Sequence, residues 1–151
     1  MKGGPVRPVT VRVNIDRPAG EVFAFVEDVE NNTQWLRGMV SCSWTTDPPV
    51  RVGSRYEQLA SFLGKRIRTN FEVTALQPGE LVTISSREGS SFPLTVTRRV
   101  EPLGPTRSQV TEIVESDPRG FYRTAGPLLH WMVRRNIQRD YNRLKALLES
   151  R

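Results

Sequence analysis

Residues 127–149 read PLLHWMVRRNIQRDYNRLKALLE, and the spacing within them decides the architecture. Leu128, Leu129, Met132, Val133, Ile137, Tyr141, Leu144 and Leu148 recur at intervals of three and four, which predicts one amphipathic helix of about six turns. Gly126-Pro127 marks its start or a kink ahead of it. An apolar stripe of that length must be covered, so the remainder of the chain has to present a large apolar surface to it.

Upstream, Met39 to Glu115 is a series of extended segments broken by turn chemistry. Asp47-Pro48-Pro49, Leu63-Gly64-Lys65, Gln77-Pro78-Gly79, Glu88-Gly89-Ser90 and Leu103-Gly104-Pro105 punctuate it at short intervals, as an antiparallel meander requires. Six strands are predicted near 39–46, 54–62, 65–76, 80–87, 91–101 and 107–115. A seventh comes first. Val9, Val11, Val13 and Ile15 alternate with polar residues up to Asp16, and Arg17-Pro18 then opens a short helix whose stripe is Val22, Phe23, Phe25 and Val26. Val29 to Leu36 reads as a second short helix, with Asn31-Asn32 near the break and Trp35 available for packing. The meander offers the only large surface for the long helix, which is expected to lie across it.

Composition limits the classes of function. The chain of 151 residues, 37% hydrophobic and 25% charged, has the balance of a globular protein. It is expected to form a single domain over 1–151, with 1–8 flexible. Cys42 is the only cysteine, which excludes an intramolecular disulfide and a cysteine-rich metal site. A lone His130 argues against a zinc site built from protein ligands alone. The N-terminus lacks the apolar core of a signal peptide and no run of apolar residues is long enough to span a bilayer, so a cytoplasmic location is expected. From Arg119 onward, eight basic residues face two acidic ones, an excess equal to the formal +6 of the whole chain. Such a field attracts nucleic acid, anionic lipid or an acidic partner, or it is simply a solvated helix face.

Alternation assigns the inward faces. Tyr56, Gln58, Ala60 and Phe62 share one side of their strand, and Ile67, Thr69, Phe71 and Val73 share one side of the next. Val82 and Ile84, then Phe92, Leu94 and Val96, follow by the same rule. In the last strand Val110, Glu112 and Val114 compete with Thr111 and Ile113, and alternation does not decide between them. His130 lies three residues before Val133 and seven before Ile137, on the stripe that the helix buries.

Several of these segments resemble a known superfamily. Asp16-Arg17-Pro18 leading into Glu21-Val22-Phe23-Ala24-Phe25, then Asp28 and Trp35, is similar to the opening of START/Bet v 1-like proteins, in particular their polyketide cyclase/dehydrase branch. Val52-Gly53-Ser54-Arg55-Tyr56, Phe71 to Leu76 with Pro78 and Leu81-Val82, and the closing Arg139 to Glu149 continue the resemblance over roughly residues 9–149. It implies an α+β helix-grip fold of order β-α-α-β6-α, in which a curved seven-stranded antiparallel sheet holds the long helix and a cavity is left between them.

The residues expected to line that cavity are Trp35, Tyr56, Gln58, Ala60, Phe62, Thr69, Phe71, Val73, Ile84, Phe92, Leu94, Val96, His130, Val133 and Ile137. Tyr56 and Gln58 could orient a ligand oxygen or satisfy each other, Trp35 could border the cavity or belong to the core, and Cys42 reads as a small buried residue rather than a nucleophile. His130 could act as acid or base, with Tyr56 the second candidate, or be a half-buried histidine bonded to a neighbour. No phosphate-binding glycine loop, zinc-protease or serine-hydrolase motif is present, and no cofactor or metal is expected. The pattern favours a binding or carrier protein for a small hydrophobic or aromatic molecule, such as a lipid or polyketide-like metabolite. The alternatives are a cofactor-independent polyketide cyclase or dehydratase and, third, a protein or RNA interaction module using the basic helix. Nucleic acid is the least favoured partner, because the basic patches lack interleaved aromatics or a known module.

Overall fold

The computed structural model describes residues 8–89, 93–116 and 122–151. Its first strand, β1 (Val9–Ile15), buries Val9, Val11, Val13 and Ile15 as the alternation requires. The chain then turns at Pro18 into α1 (Ala19–Glu27), which buries Val22, Phe23, Phe25 and Val26. The second helical segment is a 3-10 helix over Val29–Gln34, shorter and tighter than the expected helix to Leu36. Asp28 caps it by accepting from the Glu30 N–H at 3.1 Å. This two-helix passage carries the chain across the molecule, because β1 and the strand that follows lie on opposite edges of the sheet.

The meander consists of β2 (Met39–Trp44), β3 (Arg55–Phe62), β4 (Lys65–Gln77), β5 (Leu81–Ser86), β6 (Leu94–Gly104) and β7 (Arg107–Ser116). These pair antiparallel in the order β1-β7-β6-β5-β4-β3-β2. Irregularities at Met39/Ser41, Val73/Ala75 and Pro102/Gly104 shift the register locally, which is how a sheet of this kind gains curvature. The register settles the face of β7. Val110, Glu112 and Val114 stand opposite Val13, Val11 and Val9 of β1 and opposite Val100, Arg98 and Val96 of β6, so Glu112 points inward.

The long helix, α2 (Tyr122–Glu149), begins before Gly126-Pro127 and contains Pro127. Proline in the sixth position lacks only the N–H that would reach back one turn, a local loss that a helix of 28 residues can absorb. Tyr141, Leu144 and Leu148 are fully buried on its inner side, and burial of a side chain of that size contributes about 2 kcal/mol. The helix packs on β1 and is tied to it where Lys145 Nζ donates to the Asn14 carbonyl at 2.8 Å and Gln138 Nε2 to that of Arg12 at 3.1 Å. Arg17 stops the C-terminal end, donating to the carbonyls of Leu148, Glu149 and Arg151. A seven-stranded curled antiparallel sheet thus grips the C-terminal helix. Two apolar clusters result. A large one surrounds Tyr56, Phe71 and Tyr141, and a small one of Val9, Leu129 and Val133 is joined by Phe62, Val114, Met132 and Ile137.

Candidate functional site

The interior of the grip has two unlike halves. In the half under α1 and the 3-10 helix, the alternation of β6 that places Leu94 and Val96 inward continues to Arg98, only 6% exposed. Its Cα partner across the strand is Glu112, 5% exposed. Arg98 Nε donates to Glu112 Oε1 at 3.2 Å, and Nη1 donates to the Val26 carbonyl and to Asn32 Oδ1, both at 3.1 Å. The guanidinium lies 5.0 Å over the Trp35 ring, whose edge meets Tyr141 at 4.8 Å. Tyr141 Oη completes the set by donating to Glu112 Oε1 at 2.6 Å. Two charges removed from water cost several kcal/mol each unless bonded on every side, and here five elements supply the partners.

The electrostatics favour the charged form of Arg98 and the neutral form of Tyr141. Burial works against the Arg98 cation, but the neighbouring Tyr141 and Glu112 oxygens outweigh it and its pKa is raised. Burial, with Glu112 beside it, holds the Tyr141 phenol well above its ordinary range. Cys42 sits at the margin, 4.0 Å from Asn32 Nδ2, and burial pushes its thiol up to about 12. A thiol in that state is not a nucleophile at neutral pH. The cluster can bind and position, and its phenol and thiol are both held in the neutral form by burial.

Trp35, Tyr56, Phe71 and Val73, expected on the cavity wall, stand in this sealed half. Tyr56 stacks on Phe71 at 5.2 Å and meets the edge of Trp44 at 5.4 Å, while burial raises its phenol above the ordinary value. Among the described residues its hydroxyl has no hydrogen-bond partner, and neither has Trp35 Nε1. Between α1 and β5–β6 a void of about 10 Å³ lies against Trp44, Val96 and Arg98, room for about one water molecule. On the outside, beside Trp35, a shallow cleft of about 320 Å³ runs from Thr33 to Arg37 and Arg143. Asp140 accepts from the Arg37 N–H and from Arg143 Nη1 there, yet burial still leaves its carboxyl raised.

The other half is less completely buried. On the same inward faces, Gln58, Ala60 and Phe62 of β3, Ile67 of β4, and Leu94 and Val96 of β6 are only partly buried. Thr69 is buried at the boundary, and Ile84 beyond it. Opposite them α2 presents Val133, buried, with His130 and Ile137 half-buried. His130 Nε2 is shielded from solvent and has no hydrogen-bond partner among the described residues. Phe92 lies outside the described residues, as do residues 1–7. Among the described residues no group of three or more acidic, histidine or cysteine side chains could hold a metal, and no helix is long and apolar enough to cross a membrane.

Arg98, Glu112, Asn32 and Tyr141 were not singled out from the sequence. A signal existed for two of them: the inward face of β6 continues from Val96 to Arg98 and Val100, and a charged pair at matched positions of a hairpin is a recognisable complement. Asn32 and Tyr141 reach the cluster only through tertiary packing.

A curled seven-stranded antiparallel sheet closed around a C-terminal helix defines the helix-grip fold of START/Bet v 1 proteins. The family described as polyketide cyclase / dehydrase and lipid transport matches residues 7–149, and the chain belongs to it. An uncharacterized protein of Mycobacterium tuberculosis is 32% identical over 122 residues, 80% of this chain and 52% of that protein. The chain thus spans about half the length of the curated relative it matches. Among solved structures, the Zhui aromatase/cyclase of Streptomyces sp. R1128 aligns with a TM-score of 0.76 at 16% identity, covering 95% of this chain and 93% of that one. A START superfamily protein of Mycobacterium smegmatis aligns with a TM-score of 0.71 at 18% identity, covering 95% and 94%.

Proposed function

We propose that this protein binds a small hydrophobic or aromatic molecule, lipid or polyketide-like, between the less buried half of the sheet and the first half of α2, and acts as its carrier. The observation that carries this reading is the uneven burial of one continuous inward face. Tyr56, Phe71 and Val73 are sealed, whereas Ala60, Phe62, Ile67, Leu94 and Val96 on the same side are not. Apolar side chains that point into a fold yet keep water contact form a concave wall, and such walls are where small ligands lodge. Gln58 and His130 are the polar groups on that wall, suited to orient one oxygen of the ligand. The buried Cys42 thiol fits a reducing compartment such as the cytoplasm.

Native mass spectrometry of freshly purified protein, compared with the denatured sample, tests the reading. A released lipid or aromatic molecule at near-stoichiometric amount is the expected result. An empty protein that also fails to take up an environment-sensitive apolar dye would overturn it.

One observation favours cyclase chemistry as a second reading. His130 Nε2 is shielded and without a partner among the described residues at the apolar wall, where it could take a proton in an enolisation or dehydration. Tyr56 is not suited to that role, because its hydroxyl is sealed and its pKa is raised. With a poly-β-keto substrate mimic, His130→Ala should then abolish turnover and retain binding. Equal cyclisation by the variant and the parent leaves the carrier reading alone.

A further inference from the structure

The end of the molecule at which the inner face is only partly buried carries a second feature. Phe62, the last residue of β3, packs on the Leu129/Val133 cluster of α2, which brings the β3–β4 turn beside the first turns of the helix. The side chains projecting outward there are large and apolar: Leu63 is 59% exposed, Leu128 72% and Trp131 56%. Leu128 and Trp131, three apart, share one helix face. One turn further along it, the Arg135 guanidinium lies 5.3 Å over the Trp131 ring.

The charges around this apolar tip have one sign. Lys65 and Arg66 follow the turn, Arg134 and Arg135 follow Trp131, and all four are exposed. No acidic residue occurs from Gln58 to Thr69 or from Pro127 to Arg139.

Leu63 is also placed against local preference. Its φ is +52° and that of Gly64 is +79°, so the turn asks for the left-handed region at both central positions, where asparagine followed by glycine is favoured. Leucine is disfavoured in that region. A large apolar side chain held there and pointed at solvent does nothing for the hairpin itself, and strain kept in such a way is characteristic of functional surface.

The geometry points to a docking surface for an anionic phospholipid bilayer, with Leu63, Leu128 and Trp131 entering the interface and Lys65, Arg66 and Arg135 meeting the headgroups. Tryptophan suits that boundary because its ring is apolar and its N–H polar. Long basic side chains add attraction to anionic lipid while their stems lie along apolar surface. Docking would also set the less buried half of the grip against the bilayer. The inference goes beyond ligand binding and is measured without any ligand.

Sedimentation with vesicles of phosphatidylcholine containing one-third phosphatidylglycerol, at physiological ionic strength, tests it against vesicles of phosphatidylcholine alone. The parent protein should partition onto the anionic vesicles and scarcely onto the neutral ones. Trp131→Ala should weaken partitioning about tenfold. Leu63→Asn should weaken it as well while leaving the thermal midpoint unchanged or raised, which separates docking from folding. Absence of partitioning by the parent would overturn the inference, and so would equal partitioning by parent and both variants. Binding to soluble polyglutamate as tight as to vesicles, and indifferent to Trp131, would also overturn it and assign the surface to an acidic macromolecule.

Discussion

Arg98 and Glu112 stand directly opposite each other on β6 and β7, joined at 3.2 Å in an interior that excludes water from both. Each is the principal countercharge of the other. Glu112→Gln should therefore destabilise the fold by about 3–5 kcal/mol, the usual cost of leaving one buried charge unpaired. The double replacement Arg98→Met with Glu112→Leu should recover much of that loss, because an apolar pair carries no desolvation cost. Urea unfolding of Glu112→Gln, of the double variant and of its two component single replacements checks both statements, and single losses that simply add in the double would show that the pair is not coupled.

The two sealed tyrosines should respond in opposite ways to loss of the hydroxyl. Tyr141 donates to a carboxylate at 2.6 Å, so Tyr141→Phe should cost about 2 kcal/mol. Tyr56 has a buried hydroxyl without a partner among the described residues, so Tyr56→Phe should be neutral or stabilising. Thermal unfolding of the two variants side by side is sufficient to decide.

Cys42 should be inert in the native protein. With burial holding its thiol at about 12, almost none is thiolate at mildly alkaline pH, and the native chain should resist labelling by a thiol-specific disulfide reagent. In guanidinium one equivalent should react. Rapid labelling of the native form would mean that this half of the interior opens readily.

Glu149 should contribute to stability only above acidic pH. Its pKa is lowered from 4.5, chiefly by the Lys145 ammonium at 2.7 Å and then by the Asp16 N–H at 2.8 Å. A carboxyl depressed in the folded state stabilises it above the unfolded value, and the contribution disappears as pH falls through the folded one. Glu149→Gln should lower the thermal midpoint slightly at neutral pH and leave it unchanged in strong acid, the small size reflecting solvent screening of an exposed pair.

Much of the inner surface was legible in the sequence. The inward faces of β3, β4 and the start of β6 follow from period-two alternation, and the α2 stripe from period 3.6, because a buried side of a regular element must be apolar at the repeat of its own backbone. Alternation was silent on β7. There Thr111 and Ile113 compete with an inward set that includes a charge, and Thr111 is itself buried on the far side. Nor could alternation separate wall from core: Tyr56 and Ala60 share one face of β3, yet one is sealed and the other is not.

By itself, then, the sequence determined the order of elements, the face that β1, β3, β4, β5 and the start of β6 turn inward, and the requirement that a long helix cover the sheet. These are local properties, set by the periodicity of hydrophobic residues and by turn chemistry at known positions. Only the tertiary structure decided that Arg98 meets Asn32 from 66 residues away and that Tyr141 reaches Glu112 from 29 away. It also decided that the inward face is sealed around Tyr56 and Phe71 and only partly buried from Gln58 to Phe62. Those outcomes depend on strand register, on irregularities that curve the sheet and on the path of two short helices across it, and none of these is encoded in the period of any one segment.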